Sequence, residues 1–382
     1  MSDDIVIYGG TFDPPTKAHA MLLSGLAERF KEVYVVPCKI SPFKTEAGAS
    51  AADRLQMLRY ITDGMAGVHI DTFELDREGR DYTYITLQHF SEEFSGKKLY
   101  LCMGSEMLIE LERWKRTDLM AKAATLYIVP RPHFPITEEL LGKASSLGFS
   151  YKVADFDGEE GSSSEVRISV AMGRPEMFLT DKVAEYVKAH GLYGEYCYVR
   201  DLYKRFGMKQ SRIEHSFSTA LCGVALAKRV CVDPHRAATA LLLHDIGKYV
   251  TKEDAEKMGV RFDGRIDGMP LPIRHAEIGA EIMRQLLGIK DEEVIEAVRW
   301  HTTGKPNMTP MEKVVYLADY IEPLRDFPGV DKLRKATEKS IDEGLLAALE
   351  NSVKHVGKDE LYPATLQAYC LLYTSPSPRD TE

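Results

Sequence analysis

IVIYGGTFDPPTKAHAMLLSGLAERF, residues 5–30, decides how the first half of the chain is read. A short β-branched run ends in two glycines, a proline-containing loop follows, and apolar residues then recur at helical spacing through KAHAMLLSGLAERF. Strand, glycine turn and helix in that order begin a βαβ unit. The alternation continues to about residue 170. The runs VYVVP (33–37), VHIDTFEL (68–75), KLYLCMG (98–104), TLYIVP (125–130) and YKVADF (151–156) are separated by the amphipathic stretches DRLQMLRYI, YITLQHFSEEF and EMLIELERW. This rhythm predicts an α/β, doubly wound, mainly parallel sheet whose ligands bind beyond the carboxyl ends of the strands.

From about residue 196 the strand signal stops. RIEHSFSTALCGVALAKRV, PHRAATALLLHDIGKY, HAEIGAEIMRQLL, DEEVIEAVRWHTTG and TPMEKVVYLADYIEP follow one another and predict an all-α helical bundle. Thr309, Pro310 and Glu312 make a capping box with proline at the first helical position, while Gly247 and Gly304 suit helix exits. The border falls near HGLYGEYCY (190–198), giving domains at 1–195 and 196–370. Residues 371–382, LLYTSPSPRDTE, have no periodicity, look like translated sequencing-adapter sequence and are expected to be disordered.

A length of 382 residues suits two or three domains, and 44% apolar with 28% charged residues is ordinary globular composition. Of the net charge of −9, −7 falls in residues 1–200 and −2 in 201–382. Neither half presents a basic surface for nucleic acid, although small phosphorylated ligands remain open to a few local cations. The six cysteines form no C-x-x-C pair, which fits a reducing compartment and no thiolate zinc site. No apolar run approaches the ~18 residues of a membrane span, and MSDDIVIYGG lacks the basic region of a signal peptide. A cytoplasmic location without membrane contact is expected.

Gly9, Gly10, Thr11, Phe12, Thr16 and His19 follow the first strand and open the first helix, where glycine backbone and free N–H groups can cradle a phosphate. The segment resembles the T/H-x-G-H signature of the nucleotidyltransferases, and more closely the nicotinate mononucleotide adenylyltransferases, with Ala18 standing where that family has glycine. The resemblance runs over residues 1 to about 194. It assigns Lys44, in Ser41-Pro42-Phe43-Lys44, to the phosphates and Tyr82 and Thr83 to the nicotinate pocket. Trp114 would stack on the pyridine ring, and Gly104 and Glu106 lie at the adenosine site, with glutamate where the family has aspartate. Arg131, Ser163, Ser164 and Arg167 complete the set. The implied chemistry is adenylyl transfer from Mg²⁺-bound ATP to nicotinate mononucleotide. His19, Lys44 and Arg167 would stabilise the phosphate oxygens, and no general base is needed because the attacking phosphate is already ionised. Phosphopantetheine is the rival acceptor, since its adenylyltransferase shares the first motif.

In the second half, His215, His244, His275 and His301 lie within 87 residues, joined by Asp245 and Asp319. Imidazole and carboxylate donors without cysteine suit iron, manganese or zinc. If His244 and Asp245 share one helix, about 100° apart, they meet most easily when the carboxylate bridges two ions. The pattern resembles the HD-domain phosphohydrolases, with R-x-x-H at Arg212 and His215 and H-D-x-x-K at His244, Asp245 and Lys248. Within them it is similar to the bacterial family that splits diadenosine tetraphosphate symmetrically into two ADP, through HAEIGA (275–280), WHTTGKPNMTPMEKVVYLADYIEP (300–323) and Arg325. That likeness covers 198 to about 369. It implies a dinuclear centre, iron first with manganese or zinc as alternatives, held by His215, His244, Asp245, His275, His301 and Asp319. Lys248, Arg212 and Arg325 would serve the phosphates. A different nucleotide phosphohydrolase, or a sensor that binds without turnover, are the other readings. His69, His89, His133, His190, His235 and His355 are read as ordinary structural or surface residues.

Overall fold

The computed structural model describes residues 2–39, 48–132, 134–159, 161–356 and 362–374. The Ser41–Lys44 segment, His133 and residues 375–382 therefore lie outside the described residues. The chain divides into two compact units, Met1–Gly194 and Glu195–Glu382.

The first unit is built on strands β1 (Ser2–Gly10), β2 (Phe30–Pro37), β3 (Val68–Ile70), β4 (Leu99–Gly104), β5 (Thr125–Val129) and β6 (Tyr151–Val153). They pair in the order β3-β2-β1-β4-β5-β6, every pair parallel. Side chains alternate across a strand, and β1 shows the result. Ile5 and Ile7 enter one core with Leu99, Leu101 and Leu126, while Val6 and Tyr8 enter the other with Leu22, Leu26 and Val33. Both faces are covered by helices, which is why these strands read as near-continuous apolar runs. The chain reverses direction across the sheet between β1 and β4, so a cleft opens at their carboxyl ends, beside Gly9-Gly10 and Gly104-Ser105.

Two strands are clearly shorter than the sequence predicts: the run 151–156 pairs only over Tyr151–Val153, and the run 68–75 loses more. The run 68–75 pairs only over Val68–Ile70, because Asp71 accepts from the Phe73 amide and turns the chain into the one-turn helix Phe73–Asp76.

The second unit is helical throughout its described residues. Gln210–Arg229, Pro234–Leu243, Leu271–Gln285, Glu292–Arg299 and Pro310–Ile321 surround the histidines. The Thr309 capping box forms, Glu312 accepting from the Thr309 amide and Thr309 from the Glu312 amide. Two expectations are corrected. Leu371–Thr374, expected to be disordered, are the last turn of the helix Pro363–Thr374, and Leu371 and Leu372 line a pocket of mixed polarity with Met308, Leu345, Lys305 and Lys313. Neither glycine is a helix exit: Gly304, at φ 63°, lies four residues past the cap Trp300, and Gly247 lies in the turn after His244, where a Cβ would stand 2.4 Å from the His275 carbonyl oxygen. Among the described residues, no helix is long and apolar enough to cross a membrane.

Two candidate active sites

In the first unit the helix Lys17–Ala27 begins at Thr16, whose hydroxyl accepts from the His19 amide; the Thr16 amide in turn donates to His19 Nδ1 at 2.9 Å. That bond fixes the ring's tautomer, leaving the proton on Nε2. Burial first, then the nearby Arg131 charge, lower the His19 pKa to about 3, so the imidazole is neutral at physiological pH. Its edge is partly exposed, but the ring packs against Phe12, 5.2 Å between centroids, and Tyr8. Phe12 itself is buried at 2% exposure and supports His19 from beneath instead of lining open space. The Gly10 position belongs to that packing, since a Cβ there would stand 3.1 Å from the Phe12 ring.

The loop carrying these residues is held by groups that sequence reasoning missed. Asp13, 2% exposed, accepts from the amides of Gly48 (2.6 Å) and Ala49 (3.0 Å), from the Tyr193 hydroxyl (2.8 Å) and from Arg167 (3.4 Å). Burial pushes its pKa up, yet these donors outweigh it and hold the carboxyl below its ordinary value. Arg167 also donates to the Asp13 and Ser163 carbonyls and lies over the Tyr193 ring at 5.0 Å. Arg54, 1% exposed, donates to the carbonyls of Thr11, Cys38 and Lys39, tying the ends of β1 and β2 together.

Hydrogen bonds and ion pairs join the remaining sequence motifs in separate sets. Thr16 donates to the Gly161 carbonyl beside Ser163 and Ser164, which start the helix Ser163–Met172. Arg131 Nε lies 3.8 Å from Glu106, and the Arg131 amide donates to Ser105. Tyr82 accepts from Lys115 at 3.0 Å, next to Trp114, so the two aromatic segments of the expected pyridine pocket meet there; Thr83 opens the helix Thr83–Glu93. Lys44 lies outside the described residues.

In the second unit all six expected ligands converge and all but Asp319 are buried by whole-residue area, the Asp319 side chain being 14% exposed. The helix expected through 234–249 stops at Leu243. His244 is its cap and Asp245 sits in the following turn, so the two are not a face-sharing helical pair. The four imidazoles share a tautomer. Nδ1 of His244 lies 2.6 Å from the Leu241 carbonyl, that of His275 2.9 Å from Pro272, that of His301 2.6 Å from Val298, and that of His215 2.9 Å from Glu322 Oε1. Despite burial, the bonds Glu322 accepts keep its pKa low, so every one of these partners accepts and every Nδ1 carries the proton.

The four Nε2 atoms therefore point inward; burial holds His244 and His275 neutral, whereas at His215 burial is outweighed by the bonds to Asp319 and Glu322, which raise the pKa. His215 and His244 Nε2 are 3.3 Å apart, and His275 and His301 Nε2 are 3.2 Å apart. Four inward-facing imidazole nitrogens with two carboxylates are a donor set that fits a cation, which at His215 would take the place of the proton that Asp319 favours. Asp245 spans both pairs. Its Oδ2 lies 3.5 Å from His244 and 3.9 Å from His215, and its Oδ1 lies 3.1 Å from His275 and 3.7 Å from His301. Oδ1 is buried without a hydrogen-bond donor among the described residues. Asp319 Oδ1 is 2.9 Å from His215 Nε2 and 3.8 Å from His244 Nε2. Burial lowers the His244 pKa to about 4, while the Asp245 carboxyl is held far below the usual range by the surrounding imidazoles against its own burial. Neutral imidazoles and ionised carboxylates are the protonation states that ligation requires.

Cations ring this cluster. Arg212 donates to Asp245 Oδ2 at 2.8 Å, Arg325 donates to Asp319, and Lys248 Nζ stands 3.8 Å from Asp245 Oδ1. Behind it, the buried Arg299 pairs with Glu277, Glu281 and Glu296, fastening the helix that carries His275 to the one that ends before His301. Glu322 and Arg299 were not singled out from sequence. Their partners lie far along the chain, and the one available signal was a charged residue on an otherwise apolar helix.

Residues 7–168 match the cytidylyltransferase-like family and residues 212–324 match the HD domain family. The chain is 33% identical over 171 residues to the "Bis(5'-nucleosyl)-tetraphosphatase, symmetrical" of Bacillus subtilis, covering 42% of this chain and 89% of that protein. It is 31% identical over 198 residues to the "Probable nicotinate-nucleotide adenylyltransferase" of Listeria welshimeri, covering 51% of this chain and all of that one. A single Mycoplasma pneumoniae protein, "Probable nicotinate-nucleotide adenylyltransferase/Ap4A hydrolase", is 26% identical over 322 residues, 84% of this chain and 89% of that protein.

Proposed function

The chain belongs to two families, the nicotinate-nucleotide adenylyltransferases and the symmetrical bis(5'-nucleosyl)-tetraphosphatases, and from that premise we propose that it is a bifunctional enzyme. Residues 1–195 transfer an adenylyl group from ATP to nicotinate mononucleotide, giving deamido-NAD and pyrophosphate. Residues 196–370 hydrolyse diadenosine tetraphosphate to two ADP. The observation that carries this reading is that a relative of each kind is covered nearly whole while one relative spans both.

In transfer, ATP enters as its Mg²⁺ complex. The nicotinate mononucleotide phosphate forms a bond to the α-phosphorus as the bond to the β-phosphate breaks, and pyrophosphate leaves with the electron pair. His19 offers its Nε2 proton to an oxygen on which negative charge grows, because Nδ1 is committed to Thr16. Arg167 is assigned to the phosphate end of the same cleft, where its link to Asp13 ties it to the glycine-bearing loop. Lys44 is assigned to the leaving phosphates from sequence alone, and Tyr82 and Trp114 to the pyridine ring.

In hydrolysis, His215, His244, Asp245 and Asp319 would hold one metal ion and His275, His301 and the second Asp245 oxygen another. Iron is the proposed metal, with manganese or zinc accepted by the same donors. Bound there, the ions supply an acidified water and positive charge for phosphate oxygens. Lys248, Arg212 and Arg325 orient and neutralise the tetraphosphate around that centre. Arg212 and Arg325 also hold the two carboxylates in place.

The test is product identity. With Mg²⁺ and ATP, nicotinate mononucleotide is expected to give deamido-NAD faster than nicotinamide mononucleotide or phosphopantetheine react; product from phosphopantetheine alone would replace the first assignment. Metal-replete protein is expected to give ADP as the sole product of diadenosine tetraphosphate. Binding without cleavage would turn the second unit into a sensor.

A further inference from the structure

We propose that the two metal positions of the histidine cluster are built with unequal affinity, and that Glu322 is the positioning residue that sets the stronger one. This rests on the dinuclear reading above. Three of the four ligand imidazoles give their Nδ1–H to a backbone carbonyl, and only His215 gives it to a carboxylate. A charged acceptor behind an imidazole raises the donor strength of its other nitrogen and locks the ring's orientation more firmly than a neutral one. Glu322 is suited to that task. It is 1% exposed and is itself fixed by the Leu324 amide at 2.7 Å.

The donors and charges on the two sides differ in the same direction. His215 and His244 both lie within 4 Å of one oxygen of Asp245 and of Asp319, four donor groups in all, whereas His275 and His301 share the other Asp245 oxygen, with Asp319 farther off, within 4.8 Å of His301 but 2.9 Å from His215. On the first side Asp319 and Glu322 balance the cations Arg212 and Arg325. On the second side Lys248 Nζ stands 3.3 Å from His275 Nε2, at the lone pair a metal would use, and the carboxylate it pairs with is the shared Asp245, 3.8 Å away. A cation entering there meets a like charge and must displace the ammonium. Metal therefore loads first at His215, His244, Asp245 and Asp319, and the His275–His301 position fills second and empties first.

Zinc ion alone, titrated into the metal-free full chain in competition with a chromogenic chelator, tests this without any turnover. Two ions per chain are expected, with dissociation constants at least about tenfold apart. Glu322→Gln, which keeps an acceptor but removes its charge, should weaken the tighter class roughly 10- to 100-fold and leave the weaker one within about twofold. His275→Asn should abolish the weaker class and spare the tighter. Asp245→Ala gives the background from groups elsewhere such as the half-buried Asp71 and His89 with the exposed Glu93, which also lie close enough to share an ion. Circular dichroism of the metal-free variants checks that each is folded, and if Glu322→Gln is not, wild type and His275→Asn still decide. Two equal classes, a Glu322→Gln effect on the weaker class or on neither, or loss of the tighter class in His275→Asn would overturn the inference while leaving a dinuclear centre. A folded wild type that takes up no zinc above the Asp245→Ala background would overturn the dinuclear reading, and this inference with it.

Discussion

Asp13 carries four hydrogen bonds in a place nearly closed to water, and their donors come from three parts of the first unit. Asp13→Ala would leave the buried Arg167 guanidinium without its carboxylate, which costs about 3–5 kcal/mol. Tyr193→Phe removes one donor of four and should cost less, about 1.5 kcal/mol; urea unfolding of the two variants should rank them in that order. His19 predicts a pH effect. Its folded pKa is lowered to about 3 from 6.5, so between those values the unfolded chain binds a proton that the folded one does not, and stability falls as pH drops from 6.5 toward 3. Substituting Gln should flatten that part of the acid limb in a plot of unfolding free energy against pH; an unchanged slope would show that the ring is not held neutral. His19 and Thr16 were legible in the sequence because they lie three residues apart in one short signature that follows the glycine turn. Asp13, Arg54 and Tyr193 were not, since Tyr193 meets Asp13 across 180 positions and no local pattern marks the pair.

At the level of elements, the strand and helix rhythm was legible because burial on both sheet faces leaves apolar runs that only a parallel sheet needs. What the rhythm could not show is where an apolar helical pattern ends. The pattern in PHRAATALLLHDIGKY continues past Leu243, yet the chain turns there, and the turn aims His244 and Asp245 at the same center. Gly247 permits this by letting the turn lie against the helix Leu271–Gln285. Gly247→Ala should therefore cost about 1–3 kcal/mol through overpacking and also weaken metal binding, because His275 is displaced. Gly304→Ala, strained by its φ of 63° and meeting at 3.2 Å only the flexible end of Met308, should cost about 1 kcal/mol and leave metal affinity unchanged. Metal titration alongside thermal unfolding separates the two; equal metal affinity in both variants would contradict the role given to Gly247.

Across the whole molecule, the two units carry chemistries that share nucleotide substrates but no residues. His19 and its cleft lie in one, and the histidine cluster in the other. The central claim is that one chain performs both reactions at these two separate sites. The most direct test is to incubate wild type, His19→Ala and Asp245→Ala, all metal-replete, with Mg²⁺, ATP, nicotinate mononucleotide and diadenosine tetraphosphate, and to quantify deamido-NAD and ADP. Wild type should form both. His19→Ala should lose transfer by about 10²–10³-fold and keep hydrolysis, and Asp245→Ala should do the reverse. Loss of both products in either folded variant, or cleavage of the tetraphosphate to AMP and ATP, would contradict the account.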